Sequence, residues 1–116
     1  HLTATSKDAL EIENWKTALG RSKENFPYIN SLKGLIGHCI SASGSIESVA
    51  AVLELYNGFI FPNLNCEDLN PEIASLIDES KIPRQVIKKS FDILAKASFG
   101  FGDVNACLIL KRYQNG

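Results

Sequence analysis

The residues best suited to chemistry form a short cluster of ionisable groups, Lys33, His38 and Glu47. Small residues such as Gly37 and Gly44 stand between them and allow close backbone packing. The apolar pattern that follows predicts a helix beginning near Gly44. A neutral imidazole beside a helix start can donate one hydrogen bond, which is the form needed to polarise a carbonyl or to stabilise an enolate.

Each of these residues also has a plain structural interpretation. A histidine beside a helix start is more often a satisfied structural group than a catalytic one. Lys33 and Glu47 are expected to form an ion pair, and they must pair if both face the interior, because a lone buried charge is costly. A buried pair next to His38 favours a functional site over a structural one.

Two further segments contain residues that can contact a substrate. The chain opens with His1, Thr3 and Thr5 at alternating positions, a pattern that is also typical of a strand end. Near the other end, Phe99 and Phe101 alternate with small residues, so the backbone can approach a ligand closely while the rings wall it off. A glycine-rich hairpin turn with core aromatics explains this second segment equally well.

Length and composition restrict the class of protein. The 116 residues suffice for one domain, spanning residues 1–116, and the hydrophobic share of 45% is typical of globular chains. The 12 basic and 13 acidic residues give a net charge of -1, which offers no electrostatic case for nucleic-acid binding. No apolar run approaches the roughly 18–20 residues of a membrane span, so we expect no membrane partner.

The cysteines indicate the redox compartment. Cys39, Cys66 and Cys107 are odd in number and widely spaced, which fits neither a zinc site nor a disulfide framework. We therefore expect no bound metal and a cytoplasmic location. Because the chain begins at His1 rather than at a methionine, we also expect it to be a fragment or a processed product.

The hydrophobic pattern predicts helices alternating with strands. Helices are expected at 7–19, 44–56 and 72–77, and strands at 27–32, 59–62, 91–98 and 104–113. The helix at 44–56 is apolar enough to be mostly buried. The last two strands flank a turn at 100–103 and are apolar on both faces, which favours an α/β layered sheet covered on both sides.

Taken together, the motifs resemble those of the β-ketoacyl-[acyl-carrier-protein] synthases, the ketosynthases of the thiolase-like superfamily. The matching segments are His1-x-Thr3-x-Thr5, Lys33-x4-His38-x8-Glu47, residues 57–65 and residues 98–105. The first two are similar to the family's two histidine motifs, and the last is similar to its C-terminal glycine-phenylalanine loop. They occur in family order and run nearly from end to end.

The resemblance implies a fold and an activity. The fold would be an α/β thiolase-like half-fold with a mixed sheet packed against helices, and the chain would be its C-terminal domain without the N-terminal nucleophile half. The activity would be that of an acyltransferase, the decarboxylative Claisen condensation of malonyl-[acyl-carrier-protein] with an acyl thioester in fatty-acid or polyketide biosynthesis. The chain alone lacks the catalytic cysteine and is expected to be inactive.

The resemblance also implies roles for the ionisable residues. His1 and His38 would be the two catalytic histidines, whose hydrogen bonds hold the malonyl thioester carbonyl. Lys33 would act with them as a catalytic residue, and Glu47 would support Lys33 by ordering the region around His38.

Substrate contacts follow from the same resemblance. Thr3 and Thr5 would contact the phosphopantetheine arm of acyl carrier protein, which is a substrate carrier, so no separate cofactor is expected. Phe99 and Phe101 would bind substrate, with Phe101 as a gate whose backbone N–H helps to form the acyl oxyanion hole. The expected partners are acyl carrier protein, the N-terminal half of the fold, and a second subunit in a homo- or heterodimer.

Several residues depart from the family pattern and keep an alternative open. Leu2 and Ala4 replace small, usually glycine-like neighbours of the first histidine, and Asp103 stands where glycine is common. A carboxylate beside the acyl-binding loop disfavours an oxyanion there. The alternative is a non-catalytic ketosynthase-like partner subunit of the chain-length-factor type. A generic α/β binding domain that matches by chance is a third interpretation.

Overall fold

The computed structural model describes residues 1–113, which contain four α-helices, four strands and two 3₁₀ turns. In chain order the helices and strands are α1 (Asp8–Leu19), α2 (Lys33–Ile36), α3 (Ser43–Asn57), β1 (Phe59–Ile60), α4 (Pro71–Leu76), β2 (Ile87–Lys88), β3 (Ile93–Gly100) and β4 (Val104–Lys111). The 3₁₀ turns are Ile40–Ala42 and Glu79–Lys81. No helix within residues 1–113 has the length and apolar character needed to cross a bilayer.

The ends of the helices follow from local residue types. Gly20 ends α1 and Gly58 ends α3, both in the left-handed conformation that glycine adopts without strain. Asn70 caps α4 by accepting a hydrogen bond from the Glu72 backbone N–H at 2.8 Å, with Pro71 in the first turn. These three boundaries agree with the sequence prediction to within one residue.

The predicted strand at 27–32 does not form, because its backbone groups bond to partners that cannot continue a ladder. The Ile29 N–H donates to the carbonyl of Lys81 at 2.9 Å, and the Ser31 N–H donates to the side-chain oxygen of Asn63 at 2.9 Å. A ladder needs a regular run of backbone groups on a neighbouring strand. The segment is an extended loop that leads into α2.

The strands form two antiparallel pairs. β3 and β4 are a hairpin whose register runs from Ile93 opposite Lys111 to Gly100 opposite Val104, around the predicted turn. β1 pairs with β2. The one parallel bridge recorded for residues 1–113 joins Lys23 to Ile77.

Two packing interfaces bring the start of the chain close to the end of β3. Ile12 on α1 packs with Phe26, Ile77 and Ile82 in a buried cluster that holds α1 against α4. On the other side α3 packs against β3. The start of the chain, the segment after α2 and the end of β3 thereby reach one place.

Apolar side chains on α3 and on both faces of β4 are open to solvent, contrary to the predictions that α3 would be mostly buried and that the hairpin would be covered on both sides. Large apolar side chains between 41% and 77% exposed lie on α3 and β4: Ile46, Val49, Val52, Leu53, Tyr56, Val104, Leu108 and Ile109. Nothing within residues 1–113 covers them. An apolar surface of this extent is typical of a face that packs against another chain or domain.

Candidate active site

The two histidines of the chain lie side by side. The ring centroids of His1 and His38 are 5.2 Å apart with the planes at 75°, and the ring of Phe99 is 6.1 Å from that of His1. These residues come from the start of the chain, the loop after α2 and the end of β3. Three of the segments singled out in the sequence therefore converge on one site.

The hydrogen bonds of His38 define its tautomer. Nδ1 accepts the backbone N–H of Ile40 at 2.9 Å, and the Ser43 hydroxyl lies 3.1 Å from the same nitrogen. A ring nitrogen that accepts a backbone N–H carries no proton, so in the neutral imidazole the proton is on Nε2. The His38 side chain is exposed, so its Nε2–H is available to donate a hydrogen bond to a ligand in the site.

An unusual backbone conformation creates this arrangement. Ile40 has φ +51°, a left-handed value that costs a β-branched residue about 1–3 kcal/mol. The conformation allows its N–H to reach His38, only two residues earlier. Of the six non-glycine residues with positive φ in the described part of the chain, Leu2, Ala4, Ile40 and Asp103 lie in the segments that form the site.

Hydrogen bonds from the main-chain groups of His1 and Leu2 to other segments hold His1 in place. The backbone nitrogens of His1 and Leu2 donate to the two carboxylate oxygens of Glu11, at 2.8 and 3.1 Å. The Ser31 hydroxyl bonds to the carbonyls of both residues, at 3.3 and 3.1 Å. The first turn of the chain is thus tied to α1 on one side and to the loop before α2 on the other.

The threonines of the first motif have unequal surroundings. Asp8 accepts the backbone N–H groups of Thr3, Ala4 and Thr5 at 3.0–3.3 Å, which fixes the loop. The exposed Thr5 directs its hydroxyl to the same carboxylate at 3.2 Å. Thr3 is half-buried and lines a cavity of about 360 Å³ together with His38.

A largely buried charge cluster of Lys33, Glu47 and Lys96 lines a cavity that His1 also lines. Lys33 donates to Oε1 of Glu47, as the sequence predicted, and Lys96 from β3 contacts Oε2 at 3.0 Å. The three side chains are only 7%, 11% and 12% exposed, in that order. Burial alone would raise the pKa of Glu47, but the two ammonium groups outweigh it and hold that pKa below its ordinary value.

Lys96 is a site residue that the sequence patterns did not predict. Alternation along β3 places Lys96 and Ser98 on one side of the strand and Ile93, Ala95 and Ala97 on the other. A polar pair on one side of a strand ordinarily predicts the face toward solvent, so the sequence pattern carried no signal for the half-buried positions that both residues occupy.

The two phenylalanines near the β3–β4 turn, Phe99 and Phe101, have different surroundings. Phe99 contacts His1, whereas Phe101 is fully exposed at the tip of the β3–β4 turn. Asp103 follows in the left-handed conformation, with φ +59°. In this chain Phe101 is not packed against the histidines.

A second buried carboxylate, Glu54 on α3, was also missed. Its Oε1 accepts the side-chain N–H of Asn30 at 2.6 Å and the backbone N–H of Phe61 at 2.7 Å. Burial raises its pKa more than these two bonds lower it. Glu54 therefore joins the loop before α2 to the segment after β1.

We expect Glu54→Gln to stabilise the protein at pH 7 and to change its stability little at pH 4. Because burial raises the folded-state pKa of Glu54, its contribution is complete below the ordinary value of 4.5 and is lost as pH rises through the folded pKa. Glutamine keeps the accepting oxygen without the charge. Denaturant unfolding at both pH values measures the difference, with the exposed Glu79→Gln as control. An equal difference at the two pH values would contradict the assignment.

Comparison with known proteins places the chain in a family. A sequence model of the family described as "Beta-ketoacyl synthase, C-terminal domain" matches residues 1–67. The chain is similar to the "3-oxoacyl-[acyl-carrier-protein] synthase 2" of Rhizobium meliloti, at 33% identity over 97% of this chain and 26% of the relative. It is also similar to the protein of the same name from Synechocystis sp., at 35% identity over 98% and 26%.

Solved structures give the same result for the fold. One is a chain of AntDE:AntF, a "type II PKS acyl-carrier protein in complex with its ketosynthase bound to the hexaketide", with TM-score 0.77 and 30% identity over 90% of this chain and 24% of that one. Another is the ketosynthase from module 1 of the bacillaene synthase of Bacillus amyloliquefaciens, with TM-score 0.78 and 24% identity over 97% and 22%. The chain spans about a quarter of the length of the curated relatives it matches.

Proposed function

The chain belongs to the β-ketoacyl synthase family, with the α/β thiolase-like fold of its C-terminal domain, and from this premise we propose that it supplies both histidines for a decarboxylative Claisen condensation. The observation that carries the proposal is the contact between His1 and His38, with ring centroids 5.2 Å apart. Two imidazole N–H groups aimed at one carbonyl oxygen form an oxyanion site.

In the proposed reaction, a cysteine thiolate on the complementary half accepts the acyl group as a thioester and releases the carrier thiol. The malonyl thioester then loses its carboxylate as carbon dioxide, and the electron pair of the broken C–C bond forms an enolate. His1 and His38 donate hydrogen bonds to the enolate oxygen as its charge develops. The enolate carbon attacks the acyl carbonyl, and the cysteine leaves as thiolate.

The other site residues support this chemistry. Lys33 and Glu47 order the segment that carries His38, and Phe99 packs beside His1. Phe101 turns inward only when the acyl-bearing cysteine is present, where its backbone N–H serves the acyl oxyanion. This movement is part of the proposal, because Phe101 is exposed in the chain alone.

Acyl carrier protein is the proposed substrate carrier, with its phosphopantetheine arm reaching the histidines past Thr3 and Thr5. The half-burial of Thr3 beside His38 in a shared cavity supports the first contact. The Thr5 hydroxyl donates to Asp8 at 3.2 Å and accepts the Lys7 backbone N–H at 3.3 Å, so its oxygen has one lone pair left for a further hydrogen bond. The three cysteines are free thiols, which is compatible with a cytoplasmic setting.

A condensation assay of the complete protein tests the proposal. Acyl- and malonyl-carrier thioesters should give a 3-oxoacyl product and carbon dioxide in equal amounts. The chain by itself should give neither, because none of its cysteines lies in the expected nucleophile context. Absence of product from a complete protein that has the cysteine would contradict the proposed function.

The exposed apolar side chains of α3 and β4 are the proposed contacts with the complementary half, and the whole is proposed to form a homo- or heterodimer. Without that half, we expect the chain to self-associate through the exposed side of α3, which carries Val49 and Tyr56, because leaving this surface in water is unfavourable. Light scattering at high micromolar concentration measures the mass. A strictly monomeric species would contradict the expectation.

A non-catalytic partner subunit of the chain-length-factor type is the second candidate, and Asp103 is the observation that favours it. This residue adopts a left-handed conformation in the turn after Phe101, and its carboxylate adds negative charge to the loop. The residue at the nucleophile position of the complementary half separates the candidates. A cysteine supports the enzyme, and glutamine or alanine supports the partner.

A further inference from the structure

Lys96 lies outside every segment on which the family resemblance depends, yet it joins two parts of the site. It extends from β3 to Glu47, meeting Oε2 at 3.0 Å, and its ammonium also contacts the Ser98 hydroxyl. Ser98 directly precedes Phe99, whose ring packs beside His1. One buried lysine thus connects a carboxylate on α3 with the loop that contacts the first histidine.

The second histidine is connected to the same carboxylate. Lys33 reaches Glu47 from α2, and α2 leads through Gly37 into the loop of His38. Glu47 is therefore a shared anchor, with one oxygen for each lysine. The relative placement of the Phe99 loop and the His38 loop depends on both contacts.

A contribution to the stability of the fold does not explain why a lysine occupies position 96. Two ammonium groups and one carboxylate leave a surplus positive charge in a buried cluster, which is unfavourable. The ammonium also lies beside the first turn of α3, 3.9 Å from the position of a Cβ atom on Gly44, where the helix dipole repels cations. Without Lys96 the pair of Lys33 and Glu47 would be neutral.

We infer that Lys96 is a positioning residue for the condensation, holding Ser98 and Phe99 in a constant placement against Glu47 and hence against His38. The inference rests on the proposed function. Lys96 acts through Ser98 and Glu47 rather than by contact with the reacting atoms. Small misplacements of a reacting group reduce the rate strongly without a matching loss of binding.

The test is a set of variants of the complete protein. Lys96→Met is expected to lower kcat for condensation about tenfold and to leave KM for the malonyl thioester within about twofold. Its thermal unfolding midpoint is expected to stay the same or rise, because methionine removes the surplus charge. Lys96→Arg, which keeps a cation able to reach Glu47, is expected to recover most of the lost rate. Lys111→Met, on the exposed part of β4, is the matched control and should resemble the wild type.

Two results would overturn the inference. One is an unchanged kcat in Lys96→Met. The other is a fall in kcat that accompanies a lower unfolding midpoint and is not recovered by Lys96→Arg, which would mark a purely structural role. If condensation requires His38 but not Lys96, the inference alone fails. If the wild-type protein forms no product, the proposed function fails and the inference falls with it.

Discussion

Replacing His38 by alanine is expected to lower the rate of condensation by about 100-fold or more, the usual loss when one oxyanion donor is removed. Nδ1 of His38 is occupied by the Ile40 N–H, so Nε2–H is the donor available to the enolate oxygen. Because this bond strengthens as the enolate forms, kcat and kcat/KM should fall together. Carbon dioxide release from the malonyl thioester measures the step.

The matched control is Cys39→Ala at the next position. Its thiol lies 3.8 Å from the Ile36 carbonyl, a weak contact whose loss should change the rate little. Transfer of the acyl group to the cysteine of the complementary half should persist in His38→Ala, because that step precedes the enolate. Unchanged condensation in His38→Ala would remove the basis of the proposed function.

Glu47→Ala is expected to destabilise the protein by about 3–5 kcal/mol, the usual cost of breaking a buried ion pair from one side. The substitution leaves Lys33 and Lys96 buried without a counter-charge. Since the pKa of Glu47 is lowered in the folded protein, its contribution is present above the ordinary value of 4.5 and is lost as pH falls through the folded pKa. Denaturant unfolding at pH 7 measures the loss.

Two comparisons make this prediction specific. Glu79→Ala removes an ion pair with Arg84 in which both side chains are about half exposed, and it should cost less than about 1 kcal/mol. Replacing all three cluster residues by apolar ones, as Lys33→Met, Glu47→Leu and Lys96→Met together, should cost less than Glu47→Ala alone. If Glu47→Ala proves no worse than Glu79→Ala, the cluster is not the buried network described above.

The sequence predicted the parts of the fold and the site that depend on local signals. α1, α3, α4 and the hairpin follow from periodicity, glycine stops and an asparagine cap, which act within a few residues. The pair of Lys33 and Glu47 is of the same kind, because the motif spacing and the cost of a lone buried charge both point to it.

The remaining features depend on partners that are distant in the chain. Residues 27–32 have the composition of a strand, but Lys81 and Asn63 bond to their backbone and replace a ladder. The sequence predicts Glu54 only as a polar position on α3, because its partners Asn30 and Phe61 belong to other segments. The resemblance implied that His1 and Phe99 serve one site, but their direct contact was not predicted, since local pattern carries no information across the chain.

The hairpin of β3 and β4 has a consequence for the order of folding. Its two strands are joined by a turn of three residues and pair along their full length, so its contacts are local and can form within about 1–10 μs, the usual time for a hairpin. The contact between His1 and Phe99 closes a loop that includes almost the whole chain and gains nothing until the intervening elements are in place. The contact between His1 and Phe99 is therefore formed late, and substitutions at His1 should alter unfolding rates more than folding rates.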